Sequence, residues 1–477
     1  MEFNRIPTGT PGLDKVLNGG FMKGKSYLLR GGAGTGKSSL CYAFLREGLQ
    51  NNESCLLISP AEAKESVMSH AQSVNCDISK ASIIDLTPGK SPVPLFKTHS
   101  VFNPGEVEGE GLLQEISTTI SEQQPDRVVL DSITIFRDLN EATFQYRNLG
   151  LSFINYINSY GGTLVVTSEL ESSFKDEPAK HWVDGVINLT LEEEWRKLYL
   201  DKLRGSDYLK GEHTLTISER GPEVFPRLQP KKYKKSHSRT MLSTGNDGVD
   251  NLLGGGIENG TTTMITGPTG VGKTSMGVQC LKSAGERNQR AVFYTFEESE
   301  EVILERSRNF NMPLESLIES GNLEIKVLEP FDMSPDEFAY YVRKEVENKG
   351  TDMVMIDSIS GYQNVIKGKD YLKHIHALAT YLSNVGVTSI LLNETQSVAG
   401  EFVTSNYQTS YLVDNILFLR YFEYNGHLSK VIGVLKKKLS SYDSNIREFK
   451  TSTQGLEVGD PIRYARGIMS GNIETVQ

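Results

Sequence analysis

The sequence is poor in cysteine and tryptophan, with four of the first and two of the second in 477 residues. Cys41, Cys55, Cys76 and Cys280 show neither CxxC spacing nor the density of a disulfide framework, which excludes a small stapled secreted fold. Long apolar runs are missing too. Nothing approaches the roughly 20 residues that cross a bilayer, and the opening stretch MEFNRIPTGTPGLDKVLNGG has no apolar core of a signal peptide. A reduced, cytoplasmic compartment and no membrane span are therefore expected. Net positive charge is lacking as well. The formal charge of −10 argues against a protein that coats nucleic acid, because phosphate neutralisation by Lys and Arg supplies most of that affinity. One conspicuous basic run, KKYKK at 231–235, reads as a solvated interdomain linker, with a nucleic-acid or partner patch as the alternative.

What is present is length and repetition. The chain is too long for one ordinary core. Residues 8–39, TGTPGLDKVLNGGFMKGKSYLLRGGAGTGKSS, lie over residues 244–275, TGNDGVDNLLGGGIENGTTTMITGPTGVGKTS. Thr8, Gly9, Gly12, Asp14, Leu17, Gly19, Gly20, Gly24, Gly31, Gly36 and Lys37 each recur 236 positions later (273 − 37 = 236). A duplication follows, with domains expected at 1–228 and 239–477 and a basic linker at 229–238. In each half short apolar runs alternate with longer segments of helical period, which predicts an α/β domain with a mostly parallel sheet flanked by helices. The strand candidates are SYLLRG, CLLIS, ASIIDL, RVVLDS and TLVVTSE, then TTMITG, AVFYTFEE, LEIKVL, MVMIDS and TSILLNE.

Both halves carry G-x-x-x-x-G-K-[ST] after a strand and before a helix, the context that a phosphate-binding loop requires. The nucleotide candidates are Gly31, Gly34, Thr35, Gly36, Lys37, Ser38 and Ser39, with Gly267, Thr269, Gly270, Val271, Gly272, Lys273, Thr274 and Ser275 in the second copy. Glycines let backbone amides wrap the phosphates, the lysine neutralises the outer ones, and Ser38 or Thr274 is placed to ligate Mg²⁺. Asp131 and Asp357 end apolar strands where a carboxylate can hold the same ion. Glu297 and Glu298 stand 24 and 25 residues after Lys273, and the same count from Lys37 gives Ala61 and Glu62. Glu297 is thus the candidate base and a further metal neighbour, and Glu62 replaces it only if the backbone bends at Pro60.

Together TGTPGLDKVLNGG, GGAGTGKSS, FYTFEES, VMIDSIS, LYLDKLRGSDYLKGEHTLTISERGPEVFP and SNYQTSYLVDNILFLRY resemble the KaiC family over nearly the whole chain. These are double-domain clock ATPases of the RecA superfamily. The resemblance implies two tandem RecA-like P-loop NTPase domains, ATP and Mg²⁺ as cofactors, and a double-ring homo-hexamer with nucleotide between neighbouring subunits. It implies that Lys202 and Arg204 reach the next subunit's nucleotide, with Lys436 and Lys438 in the second half, where lysine replaces the arginine. It also implies autophosphorylation of adjacent Ser and Thr residues. Alignment through Asp414 puts Ser410 on the serine and Tyr411 on the threonine, with Thr409 beside them; an unmodified polar loop is the alternative. A small KaiB-like partner on the ring is implied too. The activating partner that binds a longer C-terminal tail in relatives is not expected, because the chain stops after ARGIMSGNIETVQ.

Three functions compete at this point. The first is an ATPase and autokinase in signalling or timing. The second is a nucleotide-gated scaffold with little turnover. The third, a recombinase-like DNA-binding ATPase, is disfavoured because its loops, SGYQNVIKGKDY and TQSVAGEFVTSNYQTS, are barely basic. His374 and His376, two apart in a helical segment, do not share a face and are not expected to bind metal. The aromatics of FLRYFEY read as core and interface instead of a base-stacking platform.

Overall fold

The computed structural model of the chain describes residues 4–87, 116–133, 143–169, 179–192, 194–329, 333–365, 371–395, 412–424, 426–470 and 474–475. The chain divides into two compact units, Met1–Arg227 and Leu228–Gln477. All ten strand candidates form strands. In the first unit they are β1 (Ser26–Gly31), β2 (Cys55–Ser59), β3 (Ser82–Asp85), β4 (Arg127–Leu130) and β5 (Thr163–Glu169). The sheet continues through β6 (Gly185–Glu192), β7 (Trp195–Leu203), β8 (His213–Ser218) and β9 (Gly221–Phe225).

The second unit repeats the set as β10 (Thr262–Gly267), β11 (Ala291–Thr295), β12 (Leu323–Val327), β13 (Met353–Asp357) and β14 (Thr388–Glu394). Then come β15 (Asn415–Tyr424), β16 (His427–Lys437), β17 (Arg447–Ser452) and β18 (Gly455–Pro461). Strand order is β3-β2-β4-β5-β1-β6-β7-β8-β9 in one sheet and β12-β11-β13-β14-β10-β15-β16-β17-β18 in the other, the same path shifted by nine. Six strands are parallel, and the last three run antiparallel.

Unbroken apolar runs make these parallel strands because both faces are covered. Leu29, Leu57, Val129 and Val165 enter one core of the first unit, while their chain neighbours Leu28, Leu56, Val128 and Leu164 enter the opposite one. Phe293 and Met355 against Val292 and Val354 repeat the division in the second. Of the FLRYFEY aromatics, Phe418 and Phe422 are buried in a small core with Val431, Ala465 and Ile468.

The repeated opening motif also has a structural reason. Asp14 Oδ1 accepts the Thr8 N–H at 2.8 Å, and Asp250 Oδ1 accepts that of Thr244 at 2.8 Å, so each aspartate ties its short helix to the entering chain.

Residues 229–238, expected as a solvated linker, lie along the second unit. Their lysines are exposed, but Leu228 is buried in that unit's core. Arg343 Nη1 donates to the Tyr233 hydroxyl at 2.7 Å, and the Tyr233 ring meets Tyr381 edge-on with centroids 5.2 Å apart. The aromatic inside the basic run helps to pin it, together with Asn384, whose Nδ2 donates to the Pro230 carbonyl at 3.0 Å.

In the first unit Arg127 is fully buried at the start of β4. Its Nε donates to Glu53 Oε2 at 2.5 Å, and its Nη1 donates to the carbonyls of Pro7 at 2.8 Å and Phe44 at 2.9 Å. One side chain thus joins the N-terminal segment, a helix and the sheet. Arg127→Ala is expected to destabilise the first unit by about 3 kcal/mol, because it strands buried acceptors and a half-buried carboxylate; a lowered urea midpoint is the measurement.

Candidate nucleotide-binding sites

The parallel strands bring their carboxyl ends to one edge, where ligands of open α/β sheets bind. β1 runs through residues 31–36 into the helix α1 (Lys37–Gln50), and β10 through 267–272 into α2 (Lys273–Glu286). Gly36 and Gly272, just ahead of the two helices, have φ of 100° and 118°. A Cβ on Gly36 would lie 2.6 Å from Ile217 Cδ1, so the turn needs glycine for conformation and for space. The first helical amides then face outward unpaired, ready for an anion.

In the second unit Lys273 Nζ donates to the Pro268 carbonyl at 2.9 Å, and Thr274 Oγ1 donates to Asp357 Oδ2 at 2.8 Å. Ser358 Oγ donates to Glu297 Oε1 at 2.6 Å, which places Glu297 beside the Asp357 strand end. Glu298 instead faces Arg306, whose Nη1 and Nη2 reach its two oxygens at 2.6 Å each. Thr269 Oγ1 donates to Glu394 at the end of β14. These groups line a cavity of about 300 Å³ with Lys430 and Thr451. Val271 is buried beneath the loop, and Ser275 lies on the cavity wall.

The first unit matches in part. Ser38 Oγ donates to Asp131 Oδ2 at 2.7 Å, and Lys37 Nζ donates to the carbonyls of Gly31 and Gly32 at 2.9 Å. Thr35 Oγ1 donates to the Gly32 carbonyl at 2.8 Å, and Thr167 Oγ1 to Asp131 Oδ1 at 2.5 Å. Gly34 takes φ of 73° at the loop tip, as Gly270 does at 76°; Ser39 follows Ser38 in α1. Glu62 is held by His70, with Oε2 and Nδ1 3.1 Å apart. It occupies the place of Glu298, and Ala61 that of Glu297.

Of the four cations assigned to a neighbour's nucleotide, Lys436 and Lys438 do not line the second unit's cavity. Lys202 Nζ donates to the carbonyls of Lys180 at 2.9 Å and Val183 at 2.6 Å, and Lys436 Nζ to that of Val413 at 2.6 Å. Burial lowers the pKa of both lysines, and the adjacent cation, Arg204 or Lys438, adds to it. Arg204 Nη2 reaches the His181 carbonyl at 3.3 Å, and Lys438 Nζ lies 3.4 Å from Asp414 Oδ1. Thr409, Ser410 and Tyr411 lie outside the described residues.

Two cations beside the loops escaped the sequence reading. Arg196 Nε donates to the Gly34 carbonyl at 2.9 Å, and Lys430 Nζ to that of Gly270 at 3.3 Å. They sit at matching places on β7 and β16. Only the pairing of the antiparallel strands, which no local motif marks, brings them there. Arg306 and His70 escaped that reading too, although 306 − 70 repeats the 236-residue offset.

Burial pushes Asp357 up to about 6, and the neighbouring Glu297 and Glu298 add to it, while the Thr274 hydroxyl and Lys273 oppose. Burial likewise lowers the Lys273 pKa. A buried carboxylate crowded by two others suits a divalent cation. Among the described residues no group of three His, Cys, Asp or Glu could hold a metal by itself. Thr274 with Asp357, or Ser38 with Asp131, therefore fits an ion that takes its other ligands from phosphate and water, as Mg²⁺ does. His374 lies 3.5 Å from Asp336. No helix among the described residues is long and apolar enough to cross a membrane.

The family model described as the KaiC ATPase matches residues 6–229 and again 242–462. The chain belongs to the KaiC family. It is 26% identical to the circadian clock oscillator protein KaiC of Acaryochloris marina, over 99% of this chain and 91% of that protein. It is 24% identical to the circadian clock protein KaiC3 of Synechocystis, over 98% and 94%, and 26% identical to KaiC of Synechococcus elongatus, over 98% and 91%. Each half is thus a RecA-like ATPase domain of this family, and the protein binds ATP.

Asp357 sets an expected pH dependence. Its folded-state pKa of about 6 lies above the ordinary 3.8, so between those values the unligated fold holds a proton that the unfolded chain has released. This contribution falls as pH rises through that window, by roughly 3 kcal/mol, and is constant above it. Urea unfolding without nucleotide from about pH 4 to pH 7 should show the slope in the parent protein relative to Asp357→Asn. If Mg²⁺ is held at Asp357, the Mg²⁺ dependence of nucleotide binding should strengthen across the same window, as the carboxylate ionises.

Proposed function

We propose that the chain is a slow, magnesium-dependent ATPase with serine/threonine autokinase activity, working as a double-ring hexamer in signalling or timing. The observation that carries this reading is Glu297, held by Ser358 at 2.6 Å beside the Thr274–Asp357 pair. A carboxylate in that position can orient a water or a hydroxyl for attack on the terminal phosphate and take its proton. Lys273 and the α2 amides bind the phosphates. Thr274 and Asp357 would hold Mg²⁺ in the second site, Ser38 and Asp131 in the first. The ion supplies neutralisation of the transferring group's charge.

Lys202, Arg204, Lys436 and Lys438 are proposed to complete a neighbour's site. Arg204 offers a planar fork where Lys438 gives a point charge. Ser410 is the proposed acceptor of the kinase step, with Thr409 and Tyr411 beside it. The names of the relatives, circadian clock proteins, support the timing role; a small KaiB-like partner on the ring is proposed with it. One observation favours a second reading for the first half. Ala61 leaves no carboxylate at the place of Glu297, and Glu62 is taken up by His70, so that site would bind ATP chiefly to hold the assembly together.

Glu297→Gln is expected to lower steady-state ATP turnover by about 100-fold while ATP still binds, and Lys273→Ala to weaken binding at the second site. Turnover equal to the parent's in both variants leaves only the scaffold. Light scattering should show hexamers with Mg·ATP, and intact mass after incubation should show added phosphate that Ser410→Ala removes.

A further inference from the structure

Glu297 sits in a turn, outside any regular element. Thr295 Oγ1 accepts the N–H groups of Glu297 and Glu298 at 3.3 Å each, and helix begins only at Glu300, with Ser299 as its cap. Two long local bonds do not fix a carboxylate. Firmer contacts arrive from two sides. Ser358 Oγ, which accepts the Gly361 N–H at 3.0 Å, holds the Glu297 carboxylate itself. Arg306 holds the next residue, with both ends of its guanidinium on Glu298. It projects from helix Glu300–Asn309, which buried Ile303 anchors. A planar fork on a carboxylate fixes direction as well as distance.

The duplication supplies the comparison. In the first unit Ser59 Oγ donates to the Glu62 carbonyl at 2.6 Å, much as Thr295 braces the other turn. The pair there is Glu62 with His70, a single contact of 3.1 Å between side chains 45% and 59% exposed. Glu298 and Arg306 are 29% and 26% exposed. The firm clamp occurs where a carboxylate precedes it, and the loose one follows Ala61.

We propose that Arg306 is a positioning residue for ATP hydrolysis at the second site: by gripping Glu298 it sets the turn that aims Glu297. This rests on Glu297 being the base. Arg306 also lines the cavity, so direct phosphate binding and simple neutralisation of Glu298 are the rival roles, and each leaves a different kinetic mark.

The test is steady-state hydrolysis by the full chain, taking as second-site turnover the part that Glu297→Gln abolishes. If that variant abolishes nothing, the base assignment fails and the clamp falls with it. Otherwise Arg306→Ala should lower that part's kcat by about tenfold and change KM by less than about twofold. Arg306→Lys should recover part of the loss. Affinity for a non-hydrolysable ATP analogue within about twofold of the parent shows that the fold is kept. The double variant Arg306→Ala/Glu298→Gln should stay slow. Recovery in the double variant, which marks neutralisation alone, overturns the proposal, as does a raised KM at unchanged kcat, which marks a phosphate ligand.

Discussion

In each half a hydroxyl that opens a helix meets a carboxylate that ends a strand, and the site is arranged around that contact. Ser38 with Asp131 and Thr274 with Asp357 lie at 2.7 and 2.8 Å. The two partners come from elements far apart in sequence, brought together because parallel strands buried on both faces leave their polar termini at one edge. The hydrogen bond fixes how far the phosphate loop stands from the sheet. It also keeps a carboxylate near the helix start, where unpaired amides create positive potential.

Around this shared frame the copies have drifted. The sheet path, the loop glycines, the hydroxyl–aspartate contact and a cation on the loop-tip carbonyl all recur. Among the differences are side chains around the phosphate loops: Glu297 against Ala61, Arg306 against His70, Lys430 against Arg196. None of these alters a buried apolar position. Divergence of this kind leaves the fold intact while changing what a bound nucleotide meets.

Much of this was legible in the sequence because it depends on short-range signals. The ten strands carrying the sites are apolar runs bounded by polar turns, and the phosphate loops have fixed spacing. The sheet's antiparallel extension is another matter. β7 and β16 are long and half-exposed, and their cations Arg196 and Lys430 reach the phosphate loops through pairings with β6 and β15 that no local pattern encodes. The linker shows the opposite difficulty. Its lysines dominate the composition, yet Tyr233 among them and the backbone of Pro230 and Lys235 pack onto the second unit.

Consider finally the balance of formal charge on the second cavity's described walls. Glu297, Glu298, Asp357 and Glu394 face Lys273, Arg306 and Lys430, four negative groups against three positive. A bare polyphosphate entering such a hollow meets net repulsion before it reaches the lysine. Under the proposed reading the metal complex suffers far less, since its ion offsets the carboxylates as it docks. The cavity would then discriminate between nucleotide with and without its counter-ion at the moment of entry, so that cellular magnesium, as well as ATP, governs how full the second site is.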